Sequence, residues 1–142
     1  MAGVLLDTNV LSELMRPLPD TTVLAWFGQN SASSFYTSAI TQAEILLGIT
    51  LLPAGKRRTA LAVAAEQMFK EEFANRCLAF DAAAASEYAL LVADRSKNGQ
   101  PICTEDAQIA ATAILHRLPL ATRNTKDFLH IPKLTLINPW AS

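Results

Sequence analysis

Short apolar runs alternate with longer helical stretches along the whole 142-residue chain. That alternation narrows the fold more than any other feature, because a parallel strand reaches its neighbour only through a crossover, usually a helix. Gly3 to Asp7 reads as a first strand, followed by a helix from about Asn9 that stops before Pro17 and Pro19. Thr21 or Thr22 caps a second helix through Leu24, Trp26 and Phe27. Ser34 to Ser38 has strand character, Thr41 opens a helix running to Leu52, and Pro53-Ala54-Gly55 breaks the chain. A longer helix from about Lys56 to Glu72 leads to a strand at Leu78 to Phe80. Asp81 then caps a helix that stops at Asn98-Gly99. Thr104 caps the next helix, and Pro119 to Arg123 and Leu134 to Ile137 complete five strands. With no internal repeat or linker, residues 1–142 are expected to form one α/β domain.

The composition fits a compact domain, at 51% hydrophobic and 18% charged, and its alanine runs favour helices. A formal net charge of -1 argues against a free-standing duplex-DNA binder, which needs a basic surplus. Of the basic clusters at Lys56-Arg57-Arg58, Arg95 to Lys97 and Arg123 to Lys126, the first two read as solvated. Cys77 and Cys103 have no metal-like spacing and read as buried thiols in a reducing compartment. No basic segment followed by an apolar run opens the chain, and no apolar stretch reaches membrane-spanning length. A cytoplasmic protein is expected.

Val4-Leu5-Leu6 runs straight into Asp7-Thr8-Asn9, as a buried strand would deliver a carboxylate to the edge of a sheet. That edge is where open α/β folds place their chemistry. Glu44 lies near the start of the helix after the second strand, and Asp106 just past Thr104. Right-handed crossovers put Asp7 and Glu44 on one face. Asp106 joins them only if the segment from Gly99 to Thr104 carries the helix start across. Clustered carboxylates raise one another's pKa, and a divalent cation reverses that cost. Magnesium takes oxygen ligands, keeps several waters, and can acidify one for attack on phosphorus. Each acid also has a structural reading: Asp7 as a helix cap, Glu44 closing the capping box Thr41-Gln42-Ala43-Glu44, and Asp106 at a helix dipole. The set and its order favour the site.

With these residues in hand, the chain resembles the PIN-domain ribonucleases, and among them the VapC and FitB-like toxins of bacterial type II toxin–antitoxin pairs. The matching stretches run from Leu5 to Glu13, Thr41 to Ile49, Asp106 to Ala113 and Leu120 to Phe128. The resemblance implies a PIN-like three-layer sandwich with a parallel sheet ordered 3-2-1-4-5, and a Mg2+-dependent endoribonuclease in which Mn2+ can substitute. It implies that Asp7, Glu44 and Asp106 bind the metal, with Thr8, Asn9 and Thr122 supporting them. Asn124 stands where the family often has an acid and removes one charge from the site; Asp127 can compensate or serve its loop. The implied partners are RNA, a homodimer mate and a small antitoxin whose tail presents an arginine to the acids. A larger toxin–antitoxin assembly would meet DNA only through the antitoxin.

Other classes fit less well. Neither a Walker A loop, a dinucleotide fingerprint nor a nucleophile elbow occurs. An aspartyl-phosphate phosphatase also ends its first strand in Asp, but Asn9 stands where such enzymes carry a second one. A non-catalytic binding module of the same fold, acting mainly in a DNA-bound complex with its antitoxin, is the other alternative. His116 and His130 read as surface groups, and Trp26, Phe27 and Trp140 as packing rather than base-stacking residues.

Overall fold

A computed structural model describes residues 3–141. In chain order the elements are β1 (Gly3–Leu6), α1 (Thr8–Leu14), α2 (Thr21–Gln29), β2 (Ser34–Ser38), α3 (Ala39–Thr50) and α4 (Lys56–Gln67). A π-turn (Met68–Glu72) follows, then β3 (Cys77–Leu78), α5 (Ala82–Lys97), α6 (Thr104–Leu115), β4 (Leu120–Ala121), a 3-10 turn (Thr125–Phe128) and β5 (Leu136–Ile137). The five strands form one sheet in the order β3-β2-β1-β4-β5, and every strand pair is parallel.

β1 sits between β2 and β4, which is why it is apolar without alternation: a central parallel strand is covered on both faces. Val4 and Leu6 face one core with Val10, Leu11, Ile45, Ile49 and Phe69. Leu5 faces the other with Leu91, Ile109, Ala110, Leu120 and Phe128. Helices therefore cover both sides of the sheet, giving three layers. The alanines of α6 are buried, and their small side chains let that helix pack closely.

Several boundaries depart from the sequence reading, each for a local reason. Asp20, not Thr21 or Thr22, caps α2, accepting from the backbone N–H groups of Thr22 at 2.7 Å and Val23 at 3.4 Å. Asp20→Ala is expected to cost about 1 kcal/mol, the usual worth of such a cap, visible as a melting temperature lower by a few degrees. The expected helix Lys56–Glu72 ends as α4 at Gln67 and widens into the π-turn, where the Phe73 N–H bonds the Met68 carbonyl five residues back, at 3.0 Å. In a regular α-helix Glu72 would follow Ala65 onto the core face; the wider turn brings Phe73 there instead and leaves Glu72 exposed. β3 covers Cys77–Leu78 rather than Leu78 to Phe80, and Phe80 packs edge-on against Tyr88. β4 and β5 are shorter than expected.

Neither cysteine is buried: Cys77 is half-buried with its thiol donating to Gln42 Oε1 at 3.3 Å, and Cys103 is exposed at the start of α6. Arg95, expected to be solvated, is 7% exposed. Its Nη1 and Nη2 donate to the carbonyls of Leu129 and Asp127, at 2.6 and 3.2 Å. His116 and His130 are exposed, as expected. Among the described residues, no helix is long and apolar enough to cross a membrane.

Candidate active site: an acidic cleft at the sheet edge

Parallel strands end at one edge, and there β1 releases Asp7. Its side chain caps α1 by accepting from the Thr8 N–H at 2.8 Å. The cap reading therefore holds, but it occupies one oxygen only. The other accepts from the Thr122 hydroxyl at 2.7 Å and from Asn9 Nδ2 at 3.4 Å. Thr122 follows β4, whose register beside β1 is fixed by the Asp7 N–H bonding the Ala121 carbonyl at 2.9 Å. The Thr122 hydroxyl also accepts from Asn9 Nδ2 at 3.3 Å and from the Asn124 N–H at 3.1 Å. Thr8, Asn9 and Thr122 thus lie where support for Asp7 requires them.

Glu44 is freed from its competing role by the true start of α3. That helix begins at Ala39, ahead of the expected Thr41, because Ser38 Oγ accepts from the Thr41 N–H at 3.1 Å. The capping box does not form. Glu44 is carried into the second turn, where Oε1 accepts from the Thr8 hydroxyl at 2.6 Å. The same hydroxyl lies 3.1 Å from that of the fully buried Thr41, so α1 and α3 hold Glu44 between them.

Asp106 sits in the first turn of α6, whose cap position is Cys103 rather than Thr104. The segment after Gly99 does carry this helix start across. Asp7, Glu44 and Asp106 line one open cleft of about 500 Å³. Asn124 lines it too, whereas Asp127 does not, although its charge helps to push Asp106 up.

The electrostatics follow from this crowding. Burial pushes the Asp7 carboxyl up to about 6, with smaller pushes from Asp106 and Glu44, against the hydrogen bonds from Thr122 and Thr8. Burial likewise raises Asp106. None of the three is ion-paired among the described residues. No three acidic, histidine or cysteine side chains there are close enough to ligate one ion together. The donor set nonetheless fits a hard divalent cation: all oxygens, in a cleft open to water, with a buried acid short of positive charge. Magnesium keeps several waters and needs few direct protein ligands.

Sequence reasoning misses five residues of the cleft wall: Ser12, Glu13, Arg16, Arg123 and Trp140. Glu13 is 5% exposed, pairs with Arg16 at 3.0 Å and accepts from the Asp20 N–H at 2.9 Å. Its spacing from Asn9, one helical turn, is the available signal. Arg123 lies over the Trp140 ring, 5.1 Å from its centroid. Trp26 and Phe27, by contrast, do pack, forming an aromatic cluster with Phe35.

Residues 4–134 match the PIN domain. The chain is 43% identical over 137 residues to VapC ribonuclease Y4jK of Sinorhizobium fredii, covering 96% of this chain and 97% of that one. It is 42% identical to toxin FitB of Neisseria gonorrhoeae, covering 96% and 98%. Among solved structures it superimposes on FitAB bound to an IR36 DNA fragment with a TM-score of 0.87, at 39% identity and over 98% and 96% of the two chains. The strand order, the acidic cleft at its centre and these likenesses agree: the chain belongs to the PIN-domain family, in the group that includes VapC and FitB.

Proposed function

We propose that the protein is a metal-dependent endoribonuclease and the toxin of a toxin–antitoxin pair, with Asp7, Glu44 and Asp106 as its metal-binding and catalytic acids. The observation that carries this reading is the convergence of three unpaired carboxylates from β1, α3 and α6 on one open cleft. The relatives named as a ribonuclease and as a toxin support it. Asp7, Glu44 and Asp106 would hold Mg2+, or Mn2+ in its place, and the bound ion would supply positive charge to acidify a water and to offset charge developing at phosphorus.

The chain's own residues position and hold. Thr122 and Asn9 orient the Asp7 oxygen that does not cap α1, and Thr8 aims Glu44. Asn124 faces the cleft with an uncharged side chain, so this site works with one acid fewer than a four-acid arrangement. Beside the acids, Met15, Ile45, Ile49, Leu52 and Leu61 line an apolar groove that shares Thr8, Ser12, Arg16 and Glu44 with the cleft. A small antitoxin whose apolar segment fills the groove would bring its tail over the acids and supply an arginine to them. The likeness to a FitAB complex on DNA supports such a partner, with DNA met through it. A homodimer within a larger assembly completes the proposal.

Purified protein, free of antitoxin, is expected to cut total RNA when Mg2+ or Mn2+ is added, and Asp7→Asn/Asp106→Asn is expected not to. Equal cutting by the variant would sink the assignment of the acids. No cutting by folded wild type would favour a silent binding module of the same fold.

A further inference from the structure

The cleft carries a feature that the chemistry at its acids does not use. Arg123 and Trp140 line the same wall as Asp7 and Asp106. They come from the chain just past β4 and β5, which are parallel neighbours, so the two side chains stand side by side at the sheet edge. Trp140 is set by a turn at Asn138, whose Oδ1 accepts from the Trp140 N–H at 2.9 Å and whose carbonyl accepts from the Ala141 N–H at 3.1 Å. The indole is half-buried, packed against the core cluster of Val4, Leu6 and Ala121.

Arg123 is exposed and, among the described residues, forms no salt bridge, although four carboxylates line the cleft with it. The other cleft arginine, Arg16, pairs with Glu13. A mobile guanidinium would be drawn to the nearest acid; this one lies over the Trp140 ring, an arrangement the ring quadrupole favours. The result is a planar cation on an aromatic support at the rim of an acidic cleft. An acidic cleft in a chain of net charge -1 repels a polyanion, so a substrate needs a grip there that does not depend on charge alone.

We propose that Arg123 and Trp140 form a stacking subsite for one unpaired nucleobase of the substrate RNA, next to the phosphodiester on which the acids act. The proposal rests on the ribonuclease reading. Bases stack on aromatic rings and on guanidinium planes, and only an unpaired base can offer its face. The subsite is in register with the chemistry: the Arg123 N–H donates to Asn9 Oδ1 at 3.2 Å, and Asn9 Nδ2 donates to both Thr122 and Asp7. One hydrogen-bonded chain thereby fixes the distance from the stacked base to Asp7. The cut is expected to fall at a constant offset from that base, in single-stranded RNA.

The chain has two tryptophans, so Trp26→Phe, a change within the aromatic cluster, leaves Trp140 as the sole indole reporter. In EDTA, a short single-stranded oligoribonucleotide is expected to quench its emission, and a duplex or an abasic oligomer of equal length is not. Arg123→Ala and Trp140→Ala are expected to raise KM for single-stranded RNA roughly tenfold to a hundredfold with kcat little changed, and Trp140→Phe to restore most of the loss. RNA cleavage without quenching, and with KM unmoved in these variants, overturns the subsite and leaves the ribonuclease standing. Equal quenching by the abasic oligomer overturns stacking and makes Arg123 a phosphate contact. Base-dependent quenching by a wild type that cuts no RNA supports the subsite and overturns the ribonuclease. Neither quenching nor cleavage overturns both.

Discussion

Asp7→Asn is expected to cut RNA on the order of a thousandfold more slowly than the parent protein, yet to melt at a higher temperature near neutral pH in EDTA. The activity loss follows from removing a charge at the centre of the acidic cleft. The stability gain follows from linkage. In the fold the Asp7 carboxyl is raised to about 6 from 3.8, so between those values the folded state binds the extra proton. The contribution of Asp7 to stability without metal therefore falls as pH rises from about 4 to about 6, by up to about 3 kcal/mol, and is flat above. The asparagine removes that penalty and keeps an acceptor for the Thr8 N–H, but weakens the contacts with Thr122 and Asn9. The net gain is expected to be a few degrees near pH 7 and to vanish below about pH 4. Thermal melts of both proteins across this range, with cleavage assays in metal, check both halves. A lower melting temperature for the variant at every pH would show that its hydrogen bonds outweigh its burial.

Arg95→Ala is expected to destabilise the protein by about 3 kcal/mol, roughly 10 °C in melting temperature. The guanidinium is buried on α5, and its two donors hold the carbonyls of Leu129 and Asp127. Truncation orphans both carbonyls and opens a void against Leu91, Ile114 and Ile131, which share a cavity wall with Arg95. Removing a buried charge returns part of the loss, which is why the figure is not larger. Arg95 also steadies the turn that carries Asn124 to the cleft and Asp127 beside Asp106. Cleavage per folded molecule should fall as well, and an assay well below the transition separates that effect from unfolding. A melting temperature within a degree or two of wild type would remove Arg95 from the account.

Legibility tracks how local each signal is. Asp7 is readable because a short apolar run ending in an acid is uncommon unless a buried strand delivers that acid to the edge of a sheet. The parallel sheet follows from the alternation and its strand order from the resemblance, and each signal is spread over most of the chain. Glu44 is ambiguous because Ser38 and Thr41 are both good caps, and only tertiary placement decides which one ends the strand. Arg95 reads as part of a charge run, although its helical spacing from Ala84 and Leu91 puts all three on the buried face of α5. Trp140 reads as packing, which is half right: it touches the core and also walls the cleft. No local pattern can place it beside Arg123, because that proximity depends on the pairing of two parallel strands.

The bond from Thr122 to Asp7 joins residues 115 positions apart, and β1 gains its second neighbour only when β4 arrives. During translation, Asp7 and Glu44 leave the ribosome long before Asp106, Thr122 and Trp140. A nascent chain therefore has acids but no cleft until β4 and the segment after β5 have been made.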